Sequence, residues 1–197
     1  MALDITNFPW ASFALVENRN KYIGDTIGLK RKTRGKGVHR YEFELATIDM
    51  ALSQGRNIKA QLSRAADDNA VLNYIHPRLG YSAGQTNGRI IQVAVIGTIG
   101  DKSVSIKGDG VWSLLAGDYF TFSSDTKVYE CAEDTLLNSS NKTVQLTHPL
   151  RASLIVNEVV TTNGVKWSML SDGLIEVEME ASEDQDMSIV LNVVEDI

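Results

Sequence analysis

Residues 29–45 read LKRKTRGKGVHRYEFEL, and the second half of that stretch decides the fold. From His39 to Leu45 the side chains alternate: Tyr41, Phe43 and Leu45 fall on one side, Arg40, Glu42 and Glu44 on the other. Successive side chains of an extended chain point to opposite faces, so a period of two predicts a strand with one face buried. The first half has a different character. Six of the nineteen lysines and arginines, Lys30, Arg31, Lys32, Arg34, Lys36 and Arg40, fall here with no acid among them. Gly35 and Gly37 allow turn conformations closed to other residues. Lys32–Gly37 is therefore predicted to be a loop between a strand at 25–29 and the strand that follows.

The far end of the chain is the electrostatic mirror of this segment. Ile175, Val177 and Met179 alternate with Glu176, Glu178 and Glu180, and Glu183, Asp184 and Asp186 follow. Between Leu174 and Ile197 there are eight acids and no lysine or arginine. The net charge of -6 conceals this asymmetry, because without the six basic residues thirteen cations face twenty-five acids, a net -12. Phosphate neutralisation dominates nucleic-acid binding, and so acidic a remainder argues against a chain built to hold DNA. Opposite charge blocks at two ends of one chain suit attraction between subunits.

The remaining pattern is mostly that of strands. A helix is expected from Ile48 through Arg64, where apolar or small residues recur at three-to-four spacing and Thr47 or Asp49 is placed to cap it. Residues 70–75 suit a short strand, and the three glycines of residues 80–88 mark a boundary. Five short strands then follow with turn signals between them, at 89–96, 103–106, 119–122, 127–131 and 143–146, the spacing of a small antiparallel barrel. Runs at 153–160, 165–169, 174–180 and 187–194 complete the chain. The expected fold is mainly β, a β-sandwich-like outer domain with one helix and an inserted small antiparallel β-barrel. Residues 1–85 and 152–197 would form the outer domain and 86–151 the insert.

No stretch approaches the ~18 apolar residues of a membrane helix, and the N-terminus lacks the pattern of a secretory signal. The single cysteine, Cys131, excludes an intrachain disulfide. His39, His76 and His148 form no metal-binding pair; His39 reads as a loop residue, and the other two precede prolines at strand ends. Acids flanking Cys131 raise a thiol's pKa, the wrong direction for a nucleophile. Glu183-Asp184-Gln185-Asp186 lacks the glycine and distant glutamate of a calcium loop and reads as a solvated turn. No catalytic residue, metal or cofactor is expected.

Three runs carry a family resemblance. GLKRKTRGKGVHRYEFEL (28–45) resembles a basic, glycine-containing link that leads into a His/Gln-Arg-aromatic-Glu strand in structural proteins of tailed-bacteriophage tails. GDYFTFSSDTKVYECAED (117–134) is similar to the central part of the same proteins, and VQLTHPLR (144–151) to their Leu-x-Ile-x-Pro-Pro-Leu-Arg. His148 stands where the first of those prolines would be. The resemblance implies a virion component of the tail, tail tip, distal tail or baseplate, made in the host bacterial cytoplasm. It also implies a ring of copies of itself, six or three, meeting tail-tube, hub or baseplate proteins, with no membrane or nucleic-acid partner. In that setting the six basic residues and Glu176, Glu178, Glu180, Glu183, Asp184 and Asp186 would meet neighbouring subunits. The alternative is a nucleic-acid-binding module that uses an oligonucleotide-binding-like barrel and the basic segment 30–40.

Overall fold

The computed structural model describes residues 2–25, 31–86, 88–137, 140–179 and 186–196. The chain opens with β1 (Leu3–Asp4), β2 (Trp10–Asp25), β3 (Arg31–Thr47), β4 (Met50–Ala51), α1 (Leu52–Asp67) and β5 (Leu72–Tyr74). Eight short strands follow: β6 (Ile91–Val93), β7 (Ser103–Gly108), β8 (Trp112–Leu114), β9 (Tyr119–Phe122), β10 (Val128–Glu130), β11 (Thr135–Leu137), β12 (Lys142–Gln145) and β13 (Val160–Thr161). The chain returns with β14 (Trp167–Met179) and β15 (Asp186–Glu195). The protein is mainly β, as the alternation predicts. No helix among the described residues is long and apolar enough to cross a membrane.

Two compact units emerge, Met1–Tyr74 with Ser168–Ile197, and Ile75–Trp167. The inserted unit extends past 86–151 at both ends because residues 80–82 and 162–165 tie together. Val165 N–H donates to the Gly80 carbonyl at 2.8 Å and Ser82 N–H to that of Thr162 at 3.0 Å.

The first unit is one seven-stranded sheet in the order β1-β5-β14-β15-β3-β2, with β4 paired to β15. His39, Tyr41, Phe43, Leu45 and Thr47 of β3 are buried, as are Met187, Ile189, Leu191, Val193 and Glu195 of β15. The register sets Leu45 beside Leu191 and Phe43 beside Val193, so each strand extends the other's apolar row. Helix α1 lies against this face through Gly55, Ile58, Leu62 and Ala65. Gly55 allows the close approach, since a Cβ there would stand 2.6 Å from the Met187 sulfur and displace that side chain. A helix, not a second sheet, therefore covers the core face, and the sandwich-like expectation is corrected to a two-layer arrangement.

The helix begins later than expected. Met50 and Ala51 pair with Met187 and Asp186, and no side chain caps Ala51. Thr47 is used elsewhere, its hydroxyl accepting the Ile189 N–H at 2.9 Å. A second correction concerns the expected loop at 32–37, which is strand. The β2–β3 ladder runs from Trp10↔Thr47 to Asp25↔Arg31, with a register shift where Lys36, Gly37 and Val38 face Asn20 alone. The ladder absorbs Gly37 in that bulge and pairs Gly35 with Lys21, without turning back. Residues 26–29 of the expected strand lie outside the described residues.

The described residues of the inserted unit form three small sheets, β10-β9-β13, β11-β8 and β12-β7-β6, and no closed barrel among them. Isolated bridges, Gln92↔Val159, Gly97↔Leu154 and Cys131↔Leu146, join segments where a barrel would need continuous ladders. The strands are too short for closure, at two to six residues. Of the run at 153–160, only its last residue enters a strand, β13. A single core nevertheless unites the sheets, built from Trp112, Phe120, Phe122, Tyr129, Val144 and Leu154 among others.

Candidate functional site

The charged segments singled out by composition occupy two hairpins of the same sheet. β3 and β15 are antiparallel neighbours, with Ala46 beside Val190 and Glu42 beside Val194. The β2–β3 hairpin turns beyond the Asp25↔Arg31 pair, at the N-terminal end of β3. The β14–β15 hairpin turns beyond Met179↔Met187, level with Met50 at the other end of β3. The two turns thus leave opposite ends of one sheet.

The backbone of Arg31, Lys32, Arg34 and Lys36 lies in the distal part of β3. Glu176 pairs with Val190, which pairs with Ala46. Twelve residues of strand separate Arg34 from Ala46, roughly 40 Å at ~3.3 Å per residue. The cations of the distal part of β3 and the acids of β14 therefore do not meet within a chain, where such a separation exceeds several Debye lengths, although Arg40 stands nearer, about 20 Å from Ala46 at ~3.3 Å per residue. Arg40 is half-buried, Glu176 and Glu178 are exposed, and Asp186 is half-buried beside Ala51. Lys30, Glu180, Glu183 and Asp184 lie outside the described residues.

The base of the basic ribbon is built into the core. His39, expected in a loop, is a buried strand residue whose Nε2 lies 2.6 Å from the Glu17 carboxylate. Its ring meets Tyr41 edge-on, with centroids 4.6 Å apart. Glu195, buried on β15, accepts the Tyr41 N–H at 3.3 Å. These contacts fix where the ribbon starts and in which direction β3 leaves the sheet.

The two other quoted runs fold into the inserted unit, where their polar residues hold backbone. Asp118 accepts hydrogen bonds from Ser82 Oγ at 2.6 Å and from the N–H groups of Ala83 at 2.7 Å and Leu115 at 2.8 Å. Asp125 receives the Arg151 guanidinium and, at 2.8 Å, the Tyr129 hydroxyl, which itself accepts the Arg151 N–H at 3.0 Å. His148 stacks on Tyr129, with 5.3 Å between centroids, and its Nε2 lies 3.2 Å from the Val128 carbonyl oxygen. His76 Nδ1 accepts the N–H groups of Arg78 and Leu79, and burial with the Arg78 charge pulls its pKa down. Glu158, also buried, accepts from Ser124 and the Ile155 N–H. Each is a carboxylate or ring satisfied by a turn, the arrangement that lets a small β unit bury polar groups. Sequence reading missed these carboxylate hubs. Their signals were Gly117-Asp118 and Ser123-Ser124-Asp125, read only as turns.

Two of these groups make the unit sensitive to alkali. Burial pushes the Cys131 thiol above its ordinary pKa, with the Asp118 and Asp134 charges adding, and burial likewise pushes the Tyr129 phenol up, with Asp125 adding. Raised acids stay protonated in the fold where the unfolded chain ionises. Their stabilisation is thus complete below the unfolded values, ~8.5 and ~10, and is lost as pH rises above them. Urea midpoints are expected to hold between pH 7 and 8 and to fall by pH 10.5. Cys131→Ala should flatten the first part of that fall.

No family model matches the chain, and no curated protein matches it.

Proposed function

We propose that this protein is a non-enzymatic structural component of a bacteriophage tail, at the tail tip, distal tail or baseplate. In this reading it forms a ring with copies of itself and meets neighbouring tail proteins. The phage assignment rests on the three quoted runs. The ring rests on one observation, that the basic and acidic hairpins leave opposite ends of one sheet. Charges placed in that way are too far apart to neutralise each other within a chain, whereas a head-to-tail neighbour brings unlike ends together. A heterologous contact of this kind closes into a ring when its rotation permits. The buried carboxylates, histidines and Cys131 of the inserted unit have structural partners that account for them.

Negative-stain images of the purified protein are expected to contain closed rings of uniform copy number. A field of single chains at every concentration would overturn the reading. If those chains also retarded DNA in a gel with steep salt dependence, the nucleic-acid module would replace it.

A further inference from the structure

The sheet has a second face, opposite α1, and the register identifies what lies on it. Directly paired residues of neighbouring strands share a face. Val16 pairs with Glu42 and Glu42 with Val194; Ala14 pairs with Glu44 and Glu44 with Asn192; Val190 pairs with Glu176 and Ser188 with Glu178. Glu42, Glu44, Glu176 and Glu178 therefore project from one outward face, with Val16, Val190, Asn192 and Val194 between them and Arg40 beside Glu42 at its edge. Glu44, Glu176 and Glu178 are exposed and Val16 is 56% exposed. A shallow groove of about 150 Å³ runs over β2, β3 and β15, bordered by Val16, Glu42, Glu44, Asn192 and Val194. In the sequence Glu42 and Glu44 read only as the polar side of a strand that begins with the basic block. That makes β3 bipolar, with cations in its first third and acids in its last.

Resting on the ring reading above, we infer that the outward groove at Glu42 and Glu44 receives the basic ribbon, residues 31–36, of a second copy of the chain. Charge complementarity selects this occupant. The groove is rimmed by glutamates, and the chain concentrates five of its cations between Lys30 and Lys36. Geometry excludes the chain's own ribbon, because even Lys36, its nearest cation, stands six residues from Glu42 on one strand, about 20 Å at ~3.3 Å per residue. The ladder to Asp25↔Arg31 carries the ribbon away from that groove. Val16 and the Val194 edge supply apolar surface for the aliphatic stems of lysine and arginine while the charged heads reach the glutamates.

Charge exchange between two variants tests the inference. Glu42→Lys/Glu44→Lys alone is expected to raise the dissociation constant of assembly by at least 100-fold. Mixing it with Lys30→Glu/Arg31→Glu/Lys32→Glu/Arg34→Glu should restore particles, since each variant then offers the charge the other lacks. Cysteine pairing gives a readout that survives a folding defect in the charge variants. In a Cys131→Ser background, Arg34→Cys/Glu44→Cys should oxidise to covalent multimers. If Glu42→Lys/Glu44→Lys assembles like the unmodified protein and the cysteines stay unlinked while the basic-segment variant is monomeric, the groove is the wrong receptor and the ring reading stands. If the basic-segment variant also assembles normally, both fail.

Discussion

Glutamate in place of Lys30, Arg31, Lys32 and Arg34 is expected to leave the protein as separate 21.7 kDa chains at concentrations where the unmodified protein is assembled. The size of the effect follows from interface electrostatics. Exposed ion pairs contribute up to about 1 kcal/mol each, and opposing like charges cost several kcal/mol across an interface. A net loss of about 4 kcal/mol corresponds to roughly a 1,000-fold weaker dissociation constant. The fold should be untouched, because the ribbon's anchor residues, His39, Tyr41 and Phe43, are not altered. Light scattering reads the mass and circular dichroism the fold. Unchanged mass in a correctly folded variant would show that the basic segment has no part in assembly.

Gly108→Ala is expected to cost the inserted unit about 3 kcal/mol, toward the upper end for an overpacked core. A Cβ at Gly108 would lie 1.9 Å from Trp112 Nε1 and 2.4 Å from its Cε2. Trp112 is fully buried at the centre of the shared core and has no free space to move into. The clash therefore passes to β7 and β8, whose strands carry Val104, Ile106 and Leu114. Out of a typical domain stability of about 5–15 kcal/mol, that is a large fraction. Tryptophan fluorescence during urea unfolding should show the loss as an earlier transition. A midpoint equal to that of the unmodified protein would mean the indole is not seated on Gly108.

In the first unit the second half of β3 was readable because it is long and has one buried face, whereas β2 (Trp10–Asp25), its partner along the whole ladder, was not anticipated. From Tyr41 to Leu45 the alternation is strict and the structure buries the residues assigned to the core, whereas Ile175 and Val177, assigned to a core face in the same way, are only half-buried. The helix was readable for the same reason at a different period, but its start was not. Thr47 and Asp49 looked like caps, and Thr47 turned out to bond the neighbouring strand. Gly35 and Gly37 misled in the opposite direction, because glycine also occurs within a ladder, as Gly35 does opposite Lys21, and at a β-bulge, as Gly37 does, and only the partner strand distinguishes these from a turn. In the inserted unit, β8 and β11 span three residues each, too few for a period to register. The barrel expectation failed there because pairing between short strands depends on contacts distant in sequence.

The charge blocks were legible, and their placement was not. Composition located cations near one end of the chain and acids near the other, which says nothing about distance in space. Only the antiparallel pairing of β3 with β15 sends the two hairpin turns to opposite ends of the sheet. The acids of β3 itself stayed hidden for a similar reason. Glu42 and Glu44 join Glu176 and Glu178 on one face through three strand registers, none of which local sequence specifies.

The most direct test of assembly through unlike charges is the mass of the unmodified protein in solution across a salt series. At about 50 mM salt, where the Debye length exceeds 10 Å, a single species at a fixed multiple of 21.7 kDa is expected. Toward 1 M salt, where it falls to ~3 Å, that species should dissociate to the mass of one chain. A mass of 21.7 kDa at every salt concentration, or an assembly indifferent to salt, would contradict the charge-driven ring.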